Sequence, residues 1–190
     1  MGGQTVQTRR WTREEYDRMI ATGIFHPEER LELIEGEIVH MTPQGSGHAT
    51  AVSLMEEALR RVFGPGLVVR VQMPLALDAE SEPEPDIAVV VGEPRDYRGE
   101  HPRTAVLVVE VADTTLSFDR SRKAVLYARA GIQEYWLLNL KERCLEIHRA
   151  PQAIGSTDAR YSSRRVAGAG ESVAPLGCPT ASLSVTDLLP

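Results

Sequence analysis

Residues 105–140 read AVLVVEVADTTLSFDRSRKAVLYARAGIQEYWLLNL, and this stretch decides the fold. Its first part, AVLVVEV (105–111), is nearly continuous in apolar residues, which is typical of a strand covered on both faces. A helix is predicted at 119–131, because Gly131 is a residue that commonly ends helices. The chain then enters a second predicted strand, QEYWLLNL (133–140). A strand, a helix and a strand in succession favour a sheet covered by helices.

The sequence before this stretch adds two strands and a helix. DIAVVV (86–91) is another apolar run, and LVVRVQMPLAL (67–77) is predicted as a longer strand. Residues 48–63 place apolar side chains at helical spacing and are followed by Gly-Pro-Gly, so they predict an amphipathic helix. The acidic segment 78–85 and residues 92–104 are predicted loops.

Both ends of the chain carry weaker signals. Thr12 and Glu15 form a capping-box pattern that predicts a short helix over 12–20. LELIEGEIVHM (31–41) predicts a hairpin around Gly36. After a strand at 144–149, the last forty residues predict a loop, one or two weak strands and an apolar turn at 183–189. The chain is therefore expected to form one α/β or α+β domain over residues 1–190, with a central mixed sheet flanked by helices.

Composition excludes several functional classes. No apolar run approaches the roughly 18–20 residues of a membrane span, and the first residues lack the apolar core of a secretion signal, so a cytoplasmic protein is expected. Cys144 and Cys178 lie 34 residues apart without a CxxC spacing, which gives no support to a zinc cluster or a disulfide. The net charge of −6 argues against non-specific DNA binding but not against a nuclease, because bound cations offset carboxylates.

Two carboxylates occupy unusual positions. Asp86 precedes one apolar strand and Glu110 lies inside the next, 24 residues later. An unpaired charge inside such a strand is costly, and two neighbouring carboxylates repel each other unless a cation lies between them. Oxygen ligands of this kind suit Mg²⁺ or Mn²⁺. A second interpretation stays open, in which an arginine or backbone amides satisfy a structural Glu110.

The helix after Glu110 carries three polar side chains on one face. Asp119, Lys123 and Tyr127 are spaced four residues apart. If the helix packs over the sheet, this face brings Lys123 to the carboxylates, where an ammonium group can stabilise charge on a phosphate. The alternative is a solvated Asp119–Lys123 pair with little energetic value.

Residues 105–140 resemble the signature stretch of the Uma2 (DUF820) family, above all in EVADTTLSFDRSRKAVLYARAGIQEYW. The resemblance extends to LELIEGEIVHMTPQGSGH (31–48) and PDIAVVV (85–91). It implies a PD-(D/E)XK restriction-endonuclease-like fold, with an αβββαβ core preceded by a helix and a hairpin. In that pattern Asp86 is the first acid and Glu110 the second. The expected lysine two positions after Glu110 is replaced by Ala112, and the resemblance implies that Lys123 supplies the amine.

The resemblance also implies a ligand set and partners. Asp86, Glu110 and the backbone carbonyl of Val111 would hold Mg²⁺ or Mn²⁺, and a homodimer would place two sites on two strands. Further site residues come from positions where the family keeps polar side chains, although turn or capping roles explain them equally well; they are Glu32, Glu35 and His48.

The expected reaction is therefore Mg²⁺-dependent hydrolysis of phosphodiester bonds, in DNA as the first choice of substrate. Two alternatives stay open: an inactive binding or assembly module with the same fold, and a hydrolase of a small phosphorylated substrate. Six arginines near the proposed site in sequence are candidates for phosphate contacts: Arg60, Arg61, Arg70, Arg120, Arg122 and Arg129.

Overall fold

The structure is a computed structural model that describes residues 8–154 and 158–190. Its helices are α1 (Arg13–Ala21), α2 (Ser46–Val62) and α3 (116–129). Its strands are β1 (Leu31–Ile34), β2 (Glu37–His40), β3 (Leu67–Val71), β4 (Ile87–Val91), β5 (Leu107–Ala112), β6 (Glu134–Asn139), β7 (Cys144–Ile154), β8 (Asp158–Gly168), β9 (Ser172–Val173) and β10 (Leu183–Ser184). Short 3₁₀ turns cover Pro94–Tyr97 and Val185–Leu188.

Six strands of the described chain form the central sheet, in the order β3-β4-β5-β6-β7-β8. The pair β5–β6 is parallel, because α3 crosses between the two strands, and the other neighbours are antiparallel. The predicted mixed sheet flanked by helices is therefore confirmed.

The sheet is covered on both faces. On one face α2 packs against alternate residues of the central strands, including Val109, Trp136 and Leu138. On the other face α3 covers Val108 and Tyr135. All six residues of β5 are buried, as its apolar run predicts, and all six residues of β6 are buried as well.

Two segments differ from the sequence prediction in the middle of the chain. Strand β3 ends at Val71 and not at Leu77, because Gln72 adopts a left-handed backbone with φ of 50°. Helix α3 begins at Leu116, three residues before the predicted start. It contains a π-helical turn over Asp119–Lys123, which periodicity does not reveal.

The prediction for the last forty residues is wrong in one respect. Strands β7 and β8 form a long hairpin of two eleven-residue strands. Most residues of β8 are exposed, and three of them are arginines. The strand therefore lacks the alternation of apolar and polar residues that identifies a half-buried strand. The part of this prediction that falls on 155–157 lies outside the described residues. None of the helices in the described chain is long and apolar enough to cross a membrane.

The carboxylate of Glu146 on β7 links helix α3 to β8, the strand at the edge of the sheet. Glu146 is fully buried and accepts hydrogen bonds from Arg120 Nε at 2.8 Å and from Arg164 Nη2 at 2.9 Å. Burial alone would raise the pKa of Glu146, but the hydrogen bonds from the two arginines outweigh it and lower the pKa. The ionised carboxylate is therefore the form that stabilises the fold.

Replacing Glu146 with Gln is expected to lower the free energy of unfolding at pH 7 by about 1–3 kcal/mol, since two partly exposed arginines lose a charged acceptor. Because the folded-state pKa lies below the unfolded one, this contribution is complete above the unfolded pKa and is lost as the pH falls through the folded pKa. Urea unfolding of both proteins from pH 7 to pH 3 checks this. A difference between them that does not shrink with acid would contradict the assignment.

Candidate active site

Asp86 and Glu110 meet at one end of the paired strands β4 and β5. The antiparallel register places Ile87 opposite Val109, so the residues before and after this pair, Asp86 and Glu110, are neighbours. Both line a cavity of about 260 Å³. Its lining also includes Val111, the loop before α2, the start of α3 and several further polar residues: Arg30, Glu32, Gln44, His48, Glu84, Asp113, Thr114, Thr115, Asp119 and Lys123.

Four groups hold the carboxylate of Asp86. Its Oδ2 accepts the Val111 N–H at 2.9 Å and lies 3.2 Å from His48 Nε2. Its Oδ1 accepts from Gln72 Nε2 at 3.2 Å and Gln44 Nε2 at 3.4 Å. Burial acts to raise the pKa of Asp86, but the contacts with His48 and the Val111 N–H outweigh it and lower the pKa. Asp86 is therefore an ionised carboxylate facing the cavity.

Glu110 lies deeper, at 4% exposure. Its Oε1 accepts from Tyr127 OH at 2.7 Å and lies 3.0 Å from Lys123 Nζ, and its Oε2 lies 3.4 Å from the Asp86 backbone nitrogen. Burial raises the pKa of Glu110 above its ordinary value; the charge of Lys123 opposes this rise and the charge of Asp86 adds to it. A cation near both carboxylates would therefore favour the ionised form.

Lys123 projects from the π-helical turn of α3 into the same cavity and is 1% exposed. Its Nζ bridges the Glu110 carboxylate and Glu32 Oε2, which lies 3.1 Å away. Burial acts to lower the pKa of Lys123, but the charges of Glu110 and Glu32 outweigh it and raise the pKa above its ordinary value. The side chain is therefore favoured as an ammonium ion at neutral pH.

The other predicted site residues divide into two groups. Glu32, His48 and Asp119 line the cavity, and Tyr127 contacts it through Glu110. Burial raises the pKa of Asp119 to about 6, against the effect of Lys123.

Glu35 lies outside this cavity. With Gly36 it forms the tight hairpin turn, both residues having positive φ, and its carboxylate pairs with Arg122 at 3.3 Å and Arg129 at 2.8 Å. Glu35 therefore ties the hairpin to α3, and its inclusion among the site residues is not supported by its position.

Sequence reasoning missed several side chains that contact or line the site, among them two glutamines and a glutamate. Gln44 and Gln72 hydrogen-bond to Asp86, and Glu84 lines the cavity. Gln72 falls inside a run that periodicity assigns to a strand, so its spacing carried no signal. Glu84 belongs to the acidic segment 78–85, where composition indicates only a loop.

Five of the six arginines proposed for phosphate contacts are already paired with carboxylates. Their partners are Glu56 for Arg60, Glu57 for Arg61, Glu146 for Arg120, Glu35 and Glu37 for Arg122, and Glu35 and Asp78 for Arg129. The pairs of Arg60 and Arg61 lie within α2, whereas those of the other three arginines join α3 to other segments. All five pairs leave less positive charge for a ligand. Arg70 alone in this set makes no such pair with the described residues.

A family model, Uma2, described as "putative restriction endonuclease", matches residues 13–186. The chain belongs to the Uma2 family. The structure of this Uma2 protein is similar to the solved structure of "a putative nuclease belonging to DUF820" from Anabaena variabilis ATCC 29413, with 21% sequence identity and a TM-score of 0.70. The likeness covers 93% of this chain and 96% of the other, and at this identity it shows the fold. None of the curated proteins compared with the chain matches it.

The donor groups of this Uma2 protein fit Mg²⁺ better than zinc. In the described part of the chain, no three His, Cys, Asp or Glu side chains are arranged as a ready-made metal cage. Mg²⁺ does not require one, since one or two carboxylates and several waters commonly hold it, whereas zinc sites use three or four nitrogen, sulfur or oxygen side chains. The Val111 N–H donates a hydrogen bond to Asp86. The role of the Val111 carbonyl as a metal ligand stays a prediction.

Replacing Lys123 with Met is expected to destabilise the fold by about 3 kcal/mol, because Glu32 and Glu110 then lose their buried counter-charge. The chain has one other lysine, Lys141, which is exposed and provides the matched control. Chemical unfolding at pH 7 in EDTA compares Lys123→Met, Lys141→Met and a Lys123→Met/Glu110→Gln double variant. The double variant is expected to recover part of the loss, and equal stability of both single variants would show that the bridge contributes nothing.

Proposed function

We propose that this Uma2 protein is a Mg²⁺-dependent nuclease that hydrolyses phosphodiester bonds in DNA. The observation that supports the proposal is the contact of Asp86, Glu110 and Lys123 around one cavity. Two acids on neighbouring strands and an amine form the group of side chains that a restriction-endonuclease-like reaction needs. The family description points in the same direction.

Each of the three residues has a role in the proposal. Asp86 and Glu110, together with the carbonyl of Val111, hold Mg²⁺ or Mn²⁺. When bound there, such an ion supplies an activated water and neutralises charge on the phosphate. Lys123 stabilises the negative charge that develops on the phosphate oxygens, and its raised pKa keeps it charged throughout.

Two further residues position the carboxylates. Tyr127 donates a hydrogen bond to Glu110 Oε1 and so fixes the rotation of that carboxylate. His48 lies at the start of α2 with Nε2 3.2 Å from Asp86 Oδ2, and it orients the Asp86 carboxylate toward the cavity. Such support matters because small displacements of a ligand reduce both affinity and rate.

A second candidate function is hydrolysis of a small phosphorylated molecule. The cavity is about 260 Å³ and its lining includes six carboxylates, those of Glu32, Glu84, Asp86, Glu110, Asp113 and Asp119. The same lining includes one lysine, Lys123, and one arginine, Arg30. A small site with this negative charge favours a compact substrate that arrives together with a cation. It disfavours a long polyanion.

The proposed function predicts nicking of supercoiled plasmid DNA in Mg²⁺ or Mn²⁺, and loss of this activity in EDTA. Asp86→Asn and Glu110→Gln are each expected to lower the rate by about a hundredfold or more, because each removes a charged ligand. Asp187→Asn, which changes an exposed acid, provides the matched control and is expected to retain full activity. Gel assays on supercoiled, linear and single-stranded DNA measure these rates.

Two experimental results would favour a different function. Turnover of a bis(p-nitrophenyl) phosphate substrate without action on any DNA form, still sensitive to Asp86→Asn, would favour the small-molecule hydrolase. Binding of Mn²⁺ without any turnover would favour a binding or assembly module that keeps the fold. Activity that Glu110→Gln leaves unchanged would contradict the assigned chemistry.

A further inference from the structure

Arg30 is the arginine that lines the cavity around Glu110, and no counter-ion contacts its guanidinium. The residue directly precedes β1 and is half-buried. Its backbone carbonyl accepts the Met41 N–H at 2.8 Å, which extends the β1–β2 hairpin and fixes the point from which the side chain projects. The side chain forms neither an ion pair nor a hydrogen bond with the described residues. Its donors are therefore available to a ligand in the cavity.

The lysine of the same lining, Lys123, is already shared between two carboxylates. Its Nζ lies 3.0 Å from Glu110 and 3.1 Å from Glu32, and the residue is 1% exposed. A phosphate that approached Lys123 from solvent would compete with both carboxylates for one ammonium group. Lys123 can therefore stabilise charge that develops beside it, but another cation has to hold the phosphate first.

The six carboxylates of the lining outnumber its two cations, but none of them forms an ion pair with Arg30. Four of the six have partners of their own. These are Asp86 with the Val111 N–H, Glu32 and Glu110 with Lys123, and Asp119 with the Thr115 hydroxyl. The negative charge of the lining is therefore concentrated away from the Arg30 guanidinium.

The two remaining acids of the lining, Glu84 and Asp113, do not neutralise Arg30 either. The charge of Arg30 acts to lower the pKa of Glu84, but burial and the charge of Glu32 outweigh it and raise that pKa above its ordinary value. Glu84 is therefore a poorer counter-ion than an exposed glutamate. Asp113 is exposed and makes no ion pair with the described residues.

We propose that Arg30 binds a phosphate group of the substrate in this cavity and so positions it for the proposed hydrolysis. The inference rests on the proposed function and adds a substrate-binding residue to its site. A planar guanidinium can donate two parallel hydrogen bonds to two phosphate oxygens. A divalent cation at Asp86 and Glu110 reduces the negative charge of the lining, so phosphate binding is expected to need both that cation and Arg30. The phosphate can belong to a DNA strand or to a small phosphorylated molecule, since both present the same oxygens.

Fluorescence anisotropy of a labelled single-stranded DNA oligonucleotide tests the proposal, with Ca²⁺ as the divalent cation and a gel to check that the oligonucleotide stays intact. Wild type is expected to bind, and Arg30→Met is expected to raise the Kd about tenfold, because one charge and a pair of donors are lost. Arg30→Lys keeps the charge without the paired donors, so an intermediate Kd is expected. Arg18→Met provides the matched control, since it removes an exposed arginine of α1 outside the cavity lining and changes the net charge equally. This control is expected to bind as wild type does.

Two further measurements separate a binding role from a structural one and identify the source of the phosphate. Arg30→Met is expected to keep the Tm of wild type without ligand, because the side chain has no partner to lose. Displacement of the labelled oligonucleotide by an equal concentration of a deoxynucleoside 5′-monophosphate identifies a small phosphorylated molecule as the source. Displacement by unlabelled oligonucleotide alone identifies a DNA strand.

The outcomes also distinguish this inference from the proposed nuclease activity. If wild type cleaves plasmid DNA, Arg30→Met is expected to raise KM and to leave kcat nearly unchanged. Binding that Arg30→Met weakens, without cleavage of any DNA form in Mg²⁺, would refute the nuclease activity and support the role of Arg30. No binding by wild type in Ca²⁺, equal binding by Arg30→Met and Arg18→Met, or a lower Tm of Arg30→Met without ligand would each overturn the role of Arg30, even if DNA is cleaved.

Discussion

Glu110 lies on β5, which pairs antiparallel with β4 and parallel with β6, and its carboxylate is surrounded by buried groups. A charge there is stable only if other elements bring it partners. Helix α3 supplies Lys123 and Tyr127, and the hairpin supplies Glu32, which shares the Lys123 ammonium. The requirement to compensate one carboxylate therefore fixes how the helix and the hairpin sit on the sheet.

The apolar runs at 86–91 and 105–111 made the centre of the sheet predictable, because such runs are typical of strands covered on both faces. The proximity of Asp86 and Glu110 followed from neighbouring strands, although Gln72 and Gln44, which hold Asp86, come from a left-handed position and a loop that periodicity does not describe. The length of strand β8 was not predicted, and this region was expected to hold only one or two weak strands, because most residues of β8 are exposed. The family resemblance, rather than spacing, supplied the direction in which Lys123 points.

Two cavities of the described residues differ in the charge of their lining. The cavity around Glu110 gathers six carboxylates and two cationic side chains, so it favours a cation before a phosphate. A second cavity, of about 470 Å³, is lined by three arginines and three carboxylates, so neither charge is in excess there. Glu82 and Glu84, two residues apart, line one cavity each.

The most direct measurement of the central claim is the anomalous scattering of Mn²⁺ in crystals of the full chain grown or soaked with that ion. The account predicts one strong peak between the carboxylates of Asp86 and Glu110, at about 2.1 Å from an oxygen of each, and its absence from crystals of Asp86→Asn. An ordered cavity without a peak at a saturating Mn²⁺ concentration, or a peak held by other residues alone, would contradict the assignment of these two acids as metal ligands.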